Sequence, residues 1–87
     1  MLGRQGAVAR TAHGLLSLVP AGGNRGGPME AALPFSQAEF AELLHITPEN
    51  LSRALATLRR DSFLERLGPR RFRIPSLEAL RHAANGD

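Results

Sequence analysis

Two helix starts eleven residues apart, at Ser36 and Thr47, constrain this chain more than any other pair of signals in it. Ser36-Gln37-Ala38-Glu39 is a capping box: the serine hydroxyl accepts from the amide three residues on, while the glutamate reaches back to the serine amide. Thr47-Pro48-Glu49 opens a second helix with a threonine N-cap, a proline at the first helical position, where its missing N–H costs nothing, and a carboxylate beside the positive helix end. Between the two starts Phe40, Leu43 and Leu44 follow the i, i+3, i+4 spacing of an apolar helix face, with Glu39 and Glu42 outside, until the pattern breaks at His45-Ile46. Two short helices joined by a turn of about three residues must pack on each other. Phe40, Leu44, Ile46, Leu51 and Ala54 are the side chains available to lock them at a steep angle, and Ala41 is small where they cross.

The second helix, 48–60, separates into two faces at about 100° per residue. Leu51, Ala54, Leu55 and Leu58 form a stripe for the core, and Glu49, Ser52, Arg53, Ala56 and Arg60 lie opposite. After Asp61-Ser62 the period shortens. Phe63 to Leu67, a turn at Gly68-Pro69, and Arg70 to Ile74 read as a β-hairpin over 63–74 with an arginine-laden tip and second strand. Ser76 opens a short closing helix over 76–84 that turns Leu77, Leu80 and Ala84 inward, and Asn85 to Asp87 are expected to fray. Upstream, Val8, Ala12, Leu15, Leu16 and Val19 recur at helical spacing, which predicts an opening helix over 7–19 stopped by Pro20. Residues 20–35 then form a Gly-rich loop and a short extended segment from Met29 to Phe35, which Pro34 restricts to a sheet edge. The expected fold is a single domain over 1–87, mainly α with a small β wing.

Composition narrows the function. With 43 % hydrophobic and 22 % charged residues the chain has the balance of a folded domain, and without cysteine it must stand on packing alone. Its longest apolar run, Leu15 to Val19, is interrupted by Ser17 and falls far short of the roughly 20 residues that span a bilayer, so no membrane span is expected. The Gly-rich loop does not end in the Gly-Lys-Ser/Thr of a phosphate-cradling loop, since the chain has no lysine. His13, His45 and His82 are scattered, and Glu39 and Glu42 share a solvated face, so neither a metal site, a cofactor nor enzymatic chemistry is expected. Arg4, Arg10 and Arg25 precede the first carboxylate, Glu30, in loose likeness to a targeting peptide.

The net charge of +3 conceals a cluster. Arg53, Arg59, Arg60, Arg66, Arg70, Arg71 and Arg73 are opposed within 53–73 only by Asp61 and Glu65, a local excess of +5 on the second helix and the hairpin. Helix, short turn, helix and basic hairpin is the order of a winged helix-turn-helix, in which the second helix enters the DNA major groove while the wing meets the backbone. The exposed face of 48–60 carries side chains suited to reading base edges. Arg53 offers two donors to guanine O6 and N7, Glu49 an acceptor for a cytosine amino group, and Ser52 either.

Leu33-Pro34-Phe35-Ser36-Gln37-Ala38-Glu39-Phe40-Ala41-Glu42-Leu43-Leu44, followed by Ile46-Thr47-Pro48-Glu49-Asn50-Leu51-Ser52-Arg53-Ala54-Leu55, resembles the C-terminal DNA-binding domain of the Crp/Fnr family of bacterial transcription regulators. The likeness continues through Leu58-Arg59-Arg60-Asp61, the wing from Gly68 to Ile74, and Leu77-Glu78-Ala79-Leu80. Arg10 to Leu18 is similar to the helix that opens the domain, which displaces the targeting-peptide reading. The resemblance implies double-stranded DNA as partner, a cytoplasmic location, and base contacts from Glu49, Ser52 and Arg53. It implies a TTGAT-like half-site of the Fnr-type subgroup, because the catabolite-activator subgroup usually has arginine at the position of Pro48 and glycine at that of Ser52. Phosphate contacts are implied for Ser36, Gln37, Thr47, Asn50, Arg60, Arg70 and Arg71, with RNA polymerase as a further partner.

The sequence departs from the family pattern in three ways. His45 and Ser62 stand where the family usually has glycine at a positive φ, which strains other residues. Family members are also normally more than twice this long, with an N-terminal β-barrel effector domain and a dimerisation helix that these 87 residues do not include. A dimer partner would then be needed for tight operator binding, and the alternative reading is a truncated remnant or a winged-helix protein-interaction module that does not bind DNA by itself.

Overall fold

A computed structural model of the chain describes residues 3–19 and 28–85. Four helices and three strands follow one another as α1 (Gly3–Ser17), β1 (Met29–Ala32), α2 (Gln37–Leu44), α3 (Pro48–Arg60), β2 (Glu65–Gly68), β3 (Arg71–Ile74) and α4 (Leu77–Ala84). This is the winged helix-turn-helix architecture that the order of signals implies. Residues 20–27 of the expected loop, and Gly86 and Asp87 of the expected frayed tail, lie outside the described residues.

Each local start signal acts as its chemistry dictates. Ser36 Oγ accepts from the Glu39 amide at 3.1 Å, and the Ser36 amide donates to Glu39 Oε1 at 2.9 Å, so the box closes both ways. Thr47 Oγ1 accepts from the Asn50 amide at 3.0 Å with Pro48 at the first helical position, and Ser76 Oγ accepts from the Ala79 amide at 3.2 Å. The stops are equally definite. At the end of α2 the His45 amide donates to Glu42 O and the Ile46 amide to Ala41 O; at the end of α3 the Ser62 amide donates to Arg59 O and the Phe63 amide to Leu58 O. These paired bonds are Schellman motifs, which place one residue in the left-handed region. His45 at φ 60° and Ser62 at φ 67° occupy it without being glycine.

Three expectations about elements need correction. The opening helix starts at Gly3 rather than residue 7 and ends at Ser17 rather than 19. The residue before a proline is pushed away from helical backbone, so Val19 cannot continue the helix into Pro20, and the Leu18 and Val19 amides turn back to Leu15 O and Leu16 O. The hairpin begins at Glu65 rather than 63, because Phe63 is committed to the Schellman turn. Its two strands are linked through Pro69-Arg70 rather than Gly68-Pro69, since Gly68 still pairs with Arg71. The extended segment expected from Met29 to Phe35 forms β1 over Met29–Ala32 and takes the edge of the sheet, pairing antiparallel with β3 in the order β1-β3-β2.

That third strand organises the core. In central β3, Phe72 and Ile74 are fully buried and alternate with exposed Arg71 and Arg73, the period-two signature of a half-covered sheet. α1 packs across α3 and α4, and Ala12, Leu15, Leu51, Leu58, Leu64 and Leu80 close around Phe72 and Ile74. The apolar stripe of α3 is buried as its spacing requires, with Leu51, Ala54, Leu55 and Leu58 all inside. Leu43 fails its expected inward role and is 61 % exposed, since only Phe40 and Ala41 of the eight-residue α2 reach the core fully.

Candidate nucleic-acid interface

α3 is positioned from beneath and from both ends. Its buried stripe rests on α1 and α2, Thr47 caps its start, and the Ser62 turn fixes its exit toward β2. The helix is thus held with Glu49, Ser52, Arg53, Ala56 and Arg60 in solvent, all on the face opposite the core. α2 is fixed against it by its own cap and by Arg10 of α1, whose Nη1 donates to Leu44 O at 3.4 Å and His45 O at 3.2 Å. A cation placed on the carbonyls that end a helix also complements its dipole. Sequence reasoning missed this role of Arg10, because the partners stand 34 and 35 residues away.

The helix starts are suited to anions. Ser36 and Thr47 use hydroxyl oxygen lone pairs for capping, so each keeps an O–H to donate outward, beside the partial positive charge of a helix N-terminus. Asn50 is exposed one turn into α3. Gln37 is half-buried at the start of α2, and its Nε2 has no hydrogen-bond partner among the described residues.

The wing arginines divide into two groups. Arg71 Nη2 donates to Glu30 Oε1 at 2.8 Å across the β1-β3 pair, and Arg73 lies 3.8 Å from Glu65. Arg66 donates from Nε to Gly68 O and from Nη2 to Pro69 O, at 3.2 and 3.3 Å, with its guanidinium 5.9 Å from the Phe72 ring centroid. Arg53, Arg59 and Arg70 have no carboxylate partner among the described residues, and Arg60 reaches only its neighbour Asp61 at 4.0 Å. Glu30, brought in by β1, therefore lowers the local excess from +5 to +4. At 61 % and 57 % side-chain exposure the Arg71–Glu30 pair is a surface ion pair of about 0–1 kcal/mol, so Arg71 is a partly satisfied cation rather than an open one.

A helix with one buried and one open polar face, joined by a short turn to a second capped helix and followed by a basic wing, is the arrangement of a winged helix-turn-helix, and comparison with known proteins agrees. Residues 9–83 match the family of the Crp-like helix-turn-helix domain. The chain belongs to that family. It is 34 % identical over 85 residues to the nitrogen fixation regulation protein FixK of Rhizobium meliloti (strain 1021), covering 98 % of this chain and 39 % of that protein. Among solved structures it resembles reduced CprK in the absence of any ligand, with a TM-score of 0.71, 26 % identity, and coverage of 88 % of this chain and 37 % of that one. The reduced Fe(II) CO-sensing protein of R. rubrum shares the fold with a TM-score of 0.77 at 23 % identity, over 93 % of this chain and 37 % of that chain. This Crp-like domain thus spans well under half the length of the proteins it matches. Among its described residues no helix is long and apolar enough to cross a membrane.

Proposed function

We propose that this Crp-like domain binds double-stranded DNA sequence-specifically in transcription regulation, with α3 in the major groove and a TTGAT-like half-site preference. One observation carries the reading: Arg53 projects from the exposed face of a helix whose opposite face is wholly buried, with no carboxylate partner among the described residues, on the same face as exposed Glu49 and Ser52. In that setting a guanidinium is matched to guanine O6 and N7 and a carboxylate to a cytosine amino group. Ser36, Thr47, Asn50, Arg60 and Arg70 hold phosphates and set the register, and Arg71 joins them once it gives up Glu30. Two-fold operators require two such domains, so a linked second copy and contact with RNA polymerase complete the proposed regulator.

Binding of Arg53→Ala to duplexes with single base-pair changes tests the reading. The variant loses discrimination at one base pair by about 1–3 kcal/mol, with the remaining positions read as before. An equal loss on specific and random duplexes would sink direct readout by α3.

A further inference from the structure

The C-terminal end of α3 and the outer strand β2 leave an open groove of about 480 Å³ between them, lined by Ala56, Arg59, Arg60, Leu64, Glu65 and Arg66. We infer that this groove is a second phosphate track, in which Arg59 and Arg66 grip the DNA backbone beyond the half-site; the inference rests on the DNA-binding reading above and extends it to residues outside the helix-turn-helix contacts.

Four features point this way. Ala56, Arg59 and Arg60 stand at i, i+3, i+4 and share a helix face, and Ser52, Ala56 and Arg60 continue that face back to the base-reading turn, so the groove leads directly off the reading surface. Its floor at Ala56 is a single methyl, which leaves room for a backbone to approach the helix. Cations stand on both banks: Arg59 and Arg60 on the helix, Arg66 on the strand. The single carboxylate on the strand bank, Glu65, lies 3.8 Å from Arg73, which offsets its charge.

Arg66 is the best prepared of these cations. Two of its guanidinium nitrogens are spent on the carbonyls of Gly68 and Pro69, so the planar group is held in one orientation and Nη1 remains to donate to an anion. A donor already fixed in place loses less freedom when it binds. Arg59, by contrast, is exposed and has no carboxylate partner among the described residues, so its charge is available without breaking a contact. The groove therefore adds Arg59 and Arg66, the cations flanking the end of α3, to the phosphate contacts proposed above, while at rest Arg71 and Arg73 on the β3 side are answered by Glu30 and Glu65.

Binding of Arg59→Gln to two duplexes decides the matter, one ending at the edge of the half-site on the wing side and one continuing a further helical turn. On the long duplex the slope of log K against log salt concentration becomes shallower by about 0.9, the value for one phosphate neutralised. On the short duplex the slope stays at the wild-type value, discrimination between bases is retained, Arg59→Lys restores the long-duplex slope, and Arg81→Gln on α4 leaves it unchanged. Thermal melting checks that Arg59→Gln folds as the wild type does, which an exposed helix position favours. A wild-type slope for Arg59→Gln on the long duplex, with specific binding intact, overturns the groove alone. Absence of wild-type binding to any duplex at low salt overturns the DNA-binding reading and the groove with it.

Discussion

His45 and Ser62 show how single residues store strain in this domain. Both sit in the left-handed region that a Schellman stop requires, at a cost of roughly 1–2 kcal/mol for a residue with a Cβ. His45→Gly and Ser62→Gly each relieve that strain, and the extra freedom glycine gives the unfolded chain takes back about 0.4–1 kcal/mol. Each substitution is expected to stabilise by about 0.5–1 kcal/mol, which for a domain of this size raises Tm by a few degrees. Calorimetry of the two variants and their pair checks this; the turns are separate, so the shifts add. A drop in Tm would mean that the His45 or Ser62 side chain contributes more than its backbone costs. The resemblance to the Crp/Fnr family pointed to both positions, since the family usually has glycine at each. It did not announce Arg10, whose guanidinium caps the same α2 terminus from another helix.

Elements were readable where their determinants are local. Both helix starts at Ser36 and Thr47, the buried stripe of α3 and the alternation of β3 follow from side chains within a turn or two of one another. Leu43 and Leu67 were not readable, and for distinct reasons. The periodicity of α2 includes Leu43, but the helix meets its neighbours along a stripe too narrow to cover it. Leu67 falls at the register shift between Arg66 and Gly68, where an extra residue in β2 has no partner on β3, and it is left 44 % exposed. Gly14 of α1 is a point of close approach to α2. A Cβ there would lie 2.8 Å from Phe40 Cζ and 2.9 Å from Leu44 Cδ2, atoms of the core and its rim. Gly14→Ala gains about 1 kcal/mol of helix propensity, whereas overpacking costs typically 1–3 kcal/mol and Phe40 is too well buried to yield. A lower Tm is expected for Gly14→Ala and a much lower one for Gly14→Val, which adds more bulk and gains less propensity. Unchanged melting of both would show that α1 can slide away from α2.

Among the described residues the proposed reading surface is the open face of α3, so affinity for a two-fold operator is expected to depend on how many copies act together. Two copies joined by a flexible linker long enough to span both half-sites are expected to bind a two-half-site duplex 10²- to 10⁴-fold more tightly, by order of magnitude, than one copy does. A titration of the linked and single forms on the same duplex measures this, and equal affinities would show that the two copies cannot engage both half-sites at once. Within one copy, the amino-acid sequence by itself determined the order of elements, the two capped helices, the core face of α3 and the side chains on its open face. Those properties depend on capping geometry and on periods of two and 3.6 residues, interactions that act over a few positions. Tertiary structure decided which arginines remain available for an anion. The pairing of β1 with β3 carries Glu30 across 41 residues to Arg71, and the turn at Ser62 brings β2 beside α3 to make a groove with Arg59 on one bank and Arg66 on the other. Charge is counted along a sequence, but Coulomb interaction depends on separation in space, and only the folded chain sets those separations.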